Sequence, residues 1–365
     1  MTDQQQYTQQ QYPCASCGAR LTFAPGTTAL KCPYCGFEQE VARDENRVVR
    51  EHDYDLWMAT AQSMPVSQIA AHTVTCTGCG ARTETDKLSD ACPFCGAAIV
   101  VEANTDIMIT PEGVLPFAIA SDKAMDLLQA WVRSRWFAPN SLKSLAAREG
   151  IQGTYLPYWT YDSDTMTMYH GQRGDYYYET ETYRDSDGEE QERQVRKIRW
   201  WPAYGQVERI FDDILVPAVT RLPSKRVEAL EPWDIPAAVP YQPEFLAGYQ
   251  TLRYEVEPPA GLEQFKQIAE RQIERDCRDD IGGDEQRVTS MDTQWNAITF
   301  KLLLLPVWLA AYRFDNKTWQ VMINARTGEV IGDRPYSVAK IVSAVIAALV
   351  VVGLAVLAYT MFQGR

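Results

Sequence analysis

The sequence predicts an α+β chain: two small N-terminal β modules folded around metal, a central α+β domain with antiparallel strands, and one C-terminal transmembrane helix. Three observations carry that expectation. Eight of the nine cysteines fall into four Cys-x-x-Cys pairs. The middle of the chain alternates helix-period stretches with aromatic, β-branched runs. Near the C-terminus, 22 residues from Ile341 to Phe362 carry no charge.

The cysteine pairs come two by two: Cys14/Cys17 then Cys32/Cys35, and Cys76/Cys79 then Cys92/Cys95. Zn²⁺ takes four thiolates at tetrahedral corners, and two residues between thiolates let one tight turn supply two corners. Fourteen residues separate Cys17 from Cys32 and twelve separate Cys79 from Cys92. Each gap fits a short β-hairpin, so the spacing predicts two zinc ribbons. Gly18, Gly36, Gly80 and Gly96 follow the second cysteine of each pair; a glycine tolerates the positive φ that folds the backbone over the sulfurs. Pro33 and Pro93 stiffen the second turn of each ribbon.

A disulfide framework fits less well, because the N-terminus shows no signal peptide and the spacing is that of a metal site. A redox Cys-x-x-Cys is usually single and beside a βαβ unit. Cross-bracing of alternate pairs would close longer loops at a larger entropy cost, so sequential pairing is expected. Four thiolates leave no open position for water or substrate, which makes both zinc ions structural. They also supply folding energy that such small modules cannot obtain from a core. The ninth thiol, Cys277, lies on the stripe Ala269, Ile273, Cys277, Ile281 at helical spacing and reads as a core residue.

In order, the chain divides into a disordered Gln-rich tail (1–12), ribbon one (13–41), a connector (42–72), ribbon two (73–103), the α+β domain (107–336) and the membrane span (341–362). The ribbons form an internal repeat: YPCASCGARLTF aligns with VTCTGCGARTET, and LKCPYCGFE with DACPFCGAA. In the connector, Tyr54, Leu56, Trp57 and Met58 are expected to pack on a neighbouring module. Ser121 can N-cap a helix to about Trp136 with Met125, Leu128, Trp131 and Val132 on one side, and Asn140 or Ser141 can open a short second one. Strand-like runs follow at Tyr155–Tyr161, Tyr176–Tyr183, Val195–Trp200 and Gln206–Phe211, with the acidic stretch Asp185–Glu192 as a hairpin tip. After proline-rich turns, an amphipathic helix spans about Leu262–Ile281 with Phe265, Ile268 and Ile273 inward. Strands near Ala297–Leu304, Val307–Phe314, Trp319–Asn324 and Glu329–Ile331 close the domain, with a hairpin turn at Asp315-Asn316. Leu156-Pro157-Tyr158-Trp159 and Leu305-Pro306-Val307-Trp308 suggest two related halves.

The uncharged run 341–362 would reach about 33 Å as a helix, enough for a bilayer core. Lys340 marks its start and Tyr359 suits an interface. With no signal at the N-terminus, the expectation is a tail-anchored, single-pass protein of the cell membrane with its bulk in the cytoplasm. Charge argues against a nucleic-acid role for the ribbons. The chain carries −13 overall, and residues 1–100 hold seven Lys and Arg against eleven Asp and Glu, the wrong sign for phosphate.

Catalytic signatures are missing from the sequence. No Gly-Lys dipeptide occurs, so there is no phosphate-binding loop, and no Gly-x-Ser-x-Gly is present. Asp284-Glu285-Gln286-Arg287 imitates a helicase acidic box but reads as a polar turn after Gly282-Gly283. The three histidines, His52, His72 and His170, sit in no motif, and His52 reads as solvated. Asp276, Asp279, Asp280, Asp284 and Glu285 read as a solvated helix end rather than a cation site. An enzyme would need a cleft that brings together Asp162, Asp164, His170 and Asp175.

The segments CPYCG, RWFAPN, GTYLPYWTYD, GQRGDYYY, FDDILVPA, EALEPWD, RDDIGGDEQR, LLLLPVWLAAYR and INARTGEVIGDRPYS resemble a bacterial family of membrane-anchored zinc-ribbon proteins. Its members are often labelled TFIIB-type zinc-ribbon or primosomal, helicase-like proteins. Some relatives resemble neighbours of flotillin-like and phage-shock-like membrane-stress proteins. The resemblance implies a membrane anchor and adaptor for such partners. The run 324–330 is also similar to the strand-turn-strand ending of small PepSY-type modules. Together with the residues, it points to a non-enzymatic scaffold that binds other proteins. The alternative is a membrane-tethered nucleic-acid-binding factor in replication or transcription.

Overall fold

In the computed structural model, the described residues are 12–42, 47–60, 66–67, 72–75, 82–85, 89–91, 98–100, 108–137, 151–184, 186, 188–220, 222, 224–314, 317–333 and 337–363. Three long strands dominate them: Gln152–Arg184, Glu190–Pro217 and Glu285–Phe314. The first pairs antiparallel with the second from Tyr158↔Pro217 to Arg184↔Glu190. It pairs antiparallel with the third from Gln152↔Leu309 to Gly174↔Glu285. Lys317–Asn324 and Val330–Gly332 extend the sheet beyond the third strand. Shorter strands, among them His52–Asp53, Gly113–Val114 and Gln250–Leu252, complete an 11-stranded sheet.

The sequence expectation of four separate runs between 155 and 211 is corrected to two continuous strands. The residues between the first two runs, Asp162-Ser163-Asp164 and Gly171 among them, stay in the first strand, and the sheet absorbs irregularities there as register shifts at Tyr161/Ser163, Asp162/Asp164 and His170/Gly171. The short Leu-Pro repeats turn out to be neighbours, since Leu156 pairs with Leu305 and Pro157 with Leu304.

Helices cover only part of this sheet. Ser121–Ser134 starts as expected and buries Ala124, Leu128 and Val132, but Ala120 occupies the N-cap position without a side-chain bond. The long helix Pro258–Ile281 buries Phe265, Ala269, Ile273, Cys277 and Ile281, as the stripe predicts; Ile268 is half-buried. Its Gly261 lets it approach closely, because a Cβ there would stand 2.5 Å from the Tyr161 hydroxyl. That hydroxyl donates to the Pro258 carbonyl at 2.6 Å, and the Trp159 indole N–H donates to the Val256 carbonyl at 2.7 Å. Burial pushes the Cys277 thiol up to about 11, in keeping with a core thiol.

The expected fold class is therefore corrected in two respects. The architecture is one large, mostly antiparallel sheet with helices packed on it rather than a balanced α+β domain. A helix does form over Val338–Gln363, but among the described residues no helix is long and apolar enough to cross a membrane. The transmembrane helix at 341–362, the tail anchor, the bilayer contact and the single-pass placement in the cell membrane are set aside with it. The tail (1–11), the short helix near Asn140 and Ser141 and the turn at Asp315-Asn316 lie outside the described residues.

Candidate metal centre

Ribbon one is a three-stranded sheet of Thr22–Phe23, Ala29–Lys31 and Glu38–Glu40. Two tight turns carry the cysteines. In the first, the Gly18 N–H donates to the Cys14 carbonyl at 2.8 Å; in the second, the Gly36 N–H donates to the Cys32 carbonyl at 3.1 Å. Gly18 and Gly36 have φ of 72° and 75°, the left-handed conformation that their position after each pair requires. Nothing stands within 4 Å of a Cβ at either residue, so it is backbone conformation and not space that calls for glycine.

The thiols of Cys14, Cys17, Cys32 and Cys35 lie within 4.8 Å of one another. Cys14 Sγ is 3.5 Å from Cys35 Sγ, and Cys17 Sγ is 3.5 Å from Cys32 Sγ. A tetrahedron with Zn–S bonds of about 2.3 Å has edges of about 3.8 Å, so the donor set fits such an ion. The pairing is sequential, as loop entropy favours. Cys14 and Cys32 are buried and Cys17 and Cys35 exposed. The Cys35 backbone N–H draws the Cys32 thiol down to about 6, against the opposing effect of burial. The Ala19 N–H lowers Cys17, but its bonds with Cys32 and Cys35 outweigh this and push it up to about 12. These four cysteines thus form a possible metal site. Cys76, Cys79, Cys92 and Cys95 lie outside the described residues, although the strand pairs His72–Thr75 with Arg82–Thr85 and Ser89–Ala91 with Ala98–Val100 belong to the same segment.

The seating of ribbon one on the rest of the chain was not legible in the sequence. Phe23 is 1% exposed and meets Phe245 with ring centroids 5.1 Å apart. The Phe23 N–H donates to the Ala247 carbonyl at 2.9 Å, the Gly26 N–H to the Phe117 carbonyl at 2.8 Å, and the Tyr249 hydroxyl to the Phe23 carbonyl at 3.2 Å. Cys14, Leu21, Phe23, Leu30 and Cys32 share one core with Phe117, Tyr155 and Trp308 of the sheet domain. The metal turns are therefore continuous with the main core. Tyr34, between Cys32 and Cys35, is 84% exposed.

The connector docks as expected at Tyr54, which is buried, and at Trp57, half-buried with its ring 5.3 Å from Phe300. Leu56 and Met58 are exposed instead. His52 is not a solvated residue: its Nε2 lies 2.7 Å from a Glu112 carboxylate oxygen. A second acidic group forms beside it from Glu51, Asp162 and Asp213. Its positive charge is Lys301, whose buried ammonium lies 2.8 Å from Glu51 and 2.5 Å from Asp213. Asp162 accepts from the Thr299 hydroxyl at 2.7 Å and from the Asp213 N–H at 2.5 Å. The group reads as an internal ion network that fastens the connector to the sheet.

The condition for an enzymatic cleft is not met. Asp162, Asp164, His170 and Asp175 lie along one strand, so the outer two are about 44 Å apart at the strand rise. The acidic end of the long helix is likewise not simply solvated. Asp276 makes a two-pronged pair with Arg209, one arm at 2.6 Å, and Asp280 accepts from the Tyr169 hydroxyl at 2.5 Å.

No protein-family model matches the chain, and no solved structure matches it. It is 23% identical over 355 residues to a Bacillus subtilis (strain 168) protein named "Uncharacterized protein YdjG", covering 90% of this chain and 91% of that one.

Proposed function

We propose that this protein is a non-enzymatic zinc-ribbon adaptor that recruits other proteins, with flotillin-like or phage-shock-like proteins as the partners the family resemblance suggests. The carrying observation is the way ribbon one is built: four converging thiols, residues of the module sunk into the main core, and Tyr34 exposed between Cys32 and Cys35. Zinc is the ion assigned, bound by Cys14, Cys17, Cys32 and Cys35, with a second structural site at Cys76, Cys79, Cys92 and Cys95. Four thiolates suit Zn²⁺ and leave no coordination position for substrate. A rigid platform with an exposed aromatic at its tip is the chemistry of an interface anchor.

The test separates metal from surface. Metal analysis of the purified chain is expected to give two zinc ions, falling to one in Cys32→Ser. Affinity capture with Tyr34→Ala, which leaves all thiols in place, is expected to lose the partners that wild type retains while keeping its zinc. A chain that purifies without zinc, or a Tyr34→Ala partner set identical to that of wild type, would sink the adaptor reading.

A further inference from the structure

The third long strand stops pairing with the first at Gly174↔Glu285, and the long helix ends at Ile281. Beyond them the first and second strands continue alone, from Asp175↔Arg199 to Arg184↔Glu190. This two-stranded arm is about 30 Å long at the strand rise. A two-stranded hairpin with both faces in water is marginally stable, so what each face offers is informative.

Side chains alternate between the faces. On one face the charges are matched within the arm: Lys197 lies 2.5 Å from Glu179 and 3.1 Å from Glu181, and Arg193 lies 3.4 Å from Glu181. On the other face Arg184 and Glu190 pair at 3.3 Å near the tip, but two charges between the tip and the base are left over. Arg196 stacks over the Tyr176 ring at 4.2 Å, and among the described residues no carboxylate pairs with it. Glu192 is exposed on the same face and strand, and among the described residues no cation pairs with it. Midway between them sits the uncharged pair Thr180↔Gln194, and Tyr178 beside Arg196 is 65% exposed.

We infer that this face binds the same face of a second copy of the chain, arm against arm and antiparallel, about a two-fold axis through the Thr180–Gln194 pair. Glu192 and Arg196 are each two residues from Gln194, so the axis places Glu192 of each copy over Arg196 of the other. The contact is self-complementary, as a two-fold interface must be, and gives each unmatched charge its counterpart. Tyr178 of each copy covers Thr182 of the other. A face about 10 Å wide and 30 Å long is small beside a standard interface, so association depends on concentration and on salt.

The experiment is light scattering of the full chain over a concentration series, with charge reversals. Wild type is expected to approach twice the chain mass. Glu192→Arg and Arg196→Glu each set like charges against each other twice and are expected to stay monomeric. The double variant, Glu192→Arg with Arg196→Glu, restores both pairs and is expected to dimerise again. Gln194→Cys, on the axis, is expected to cross-link to itself on mild oxidation, and Val195→Cys, on the opposite face, is not. A wild type that stays monomeric, single variants that associate like wild type, a double variant that does not recover, or equal cross-linking at 194 and 195 would each overturn the proposal.

Discussion

Between Trp159 and Tyr169 the first long strand lies in mid-sheet and buries Trp159, Tyr161 and Tyr169 under the long helix. From Asp175 to Arg184 the same strand has one neighbour and no helix, and its tyrosines at 178 and 183 are largely exposed. Both halves are aromatic-rich and both keep a regular ladder. The difference lies in what covers them. The proximal half is held by rings packed on Phe265 and Phe300. The distal half is held by backbone bonds, surface ion pairs and stacked arginines, each of small individual value. A long strand is thus no measure of local stability.

The largest effect is expected where the long helix meets the sheet. Phe265 is fully buried and touches Tyr161, Phe211 and Trp295, so Phe265→Ala should cost about 3–5 kcal/mol. Denaturant unfolding checks this. Next comes Gly205→Ala, because its Cβ would stand 2.6 Å from the Tyr169 hydroxyl and 2.7 Å from an Asp280 oxygen. Both atoms belong to the hydrogen bond that ties the helix end to the sheet. A loss of about 1–3 kcal/mol is expected, and a neutral result would mean that the helix end is free to shift.

What the sequence revealed and what it hid follow the same division. The cysteine spacing placed the metal turns and the positive φ of Gly18 and Gly36, because that geometry is local. The stripe through Cys277 was legible because helical burial repeats within one element. Asp276 and Asp280 were misread because Arg209 and Tyr169 lie 67 and 111 residues away. The first long strand was cut short because Asp162-Ser163-Asp164 has the composition of a turn, and only neighbours on both sides hold it in a sheet. The seat of ribbon one was equally hidden: Phe23 does not disclose Phe245.

The Arg209–Asp276 pair sets a pH dependence. Its hydrogen bonds from Arg209, against partial burial, hold the Asp276 carboxyl below its ordinary value. A folded pKa below the unfolded one gives stability that is present above the unfolded value, near 4, and is lost as pH falls through the folded one. Wild type should therefore lose more of its denaturation midpoint between pH 6 and pH 3 than Asp276→Asn. Equal losses would show that the pair does not favour the folded state.

The smallest effect on stability is expected in the arm, and there the comparison can be made directly. Lys197 holds Glu179 and Glu181 in the structure, yet all three side chains reach water, where such pairs lose most of their attraction to solvent and salt. Lys197→Ala should leave the global unfolding midpoint where it was. Amide exchange should still separate the two halves, because exchange reports local opening and not the midpoint. Amides at 177–183 should exchange quickly and those at 158–161 only with global unfolding, although both sit in unbroken antiparallel ladders. Equal protection in dilute protein would mean that the arm is stabilised without cover. Protection that rises in the arm alone with protein concentration would mean that cover arrives from a second molecule.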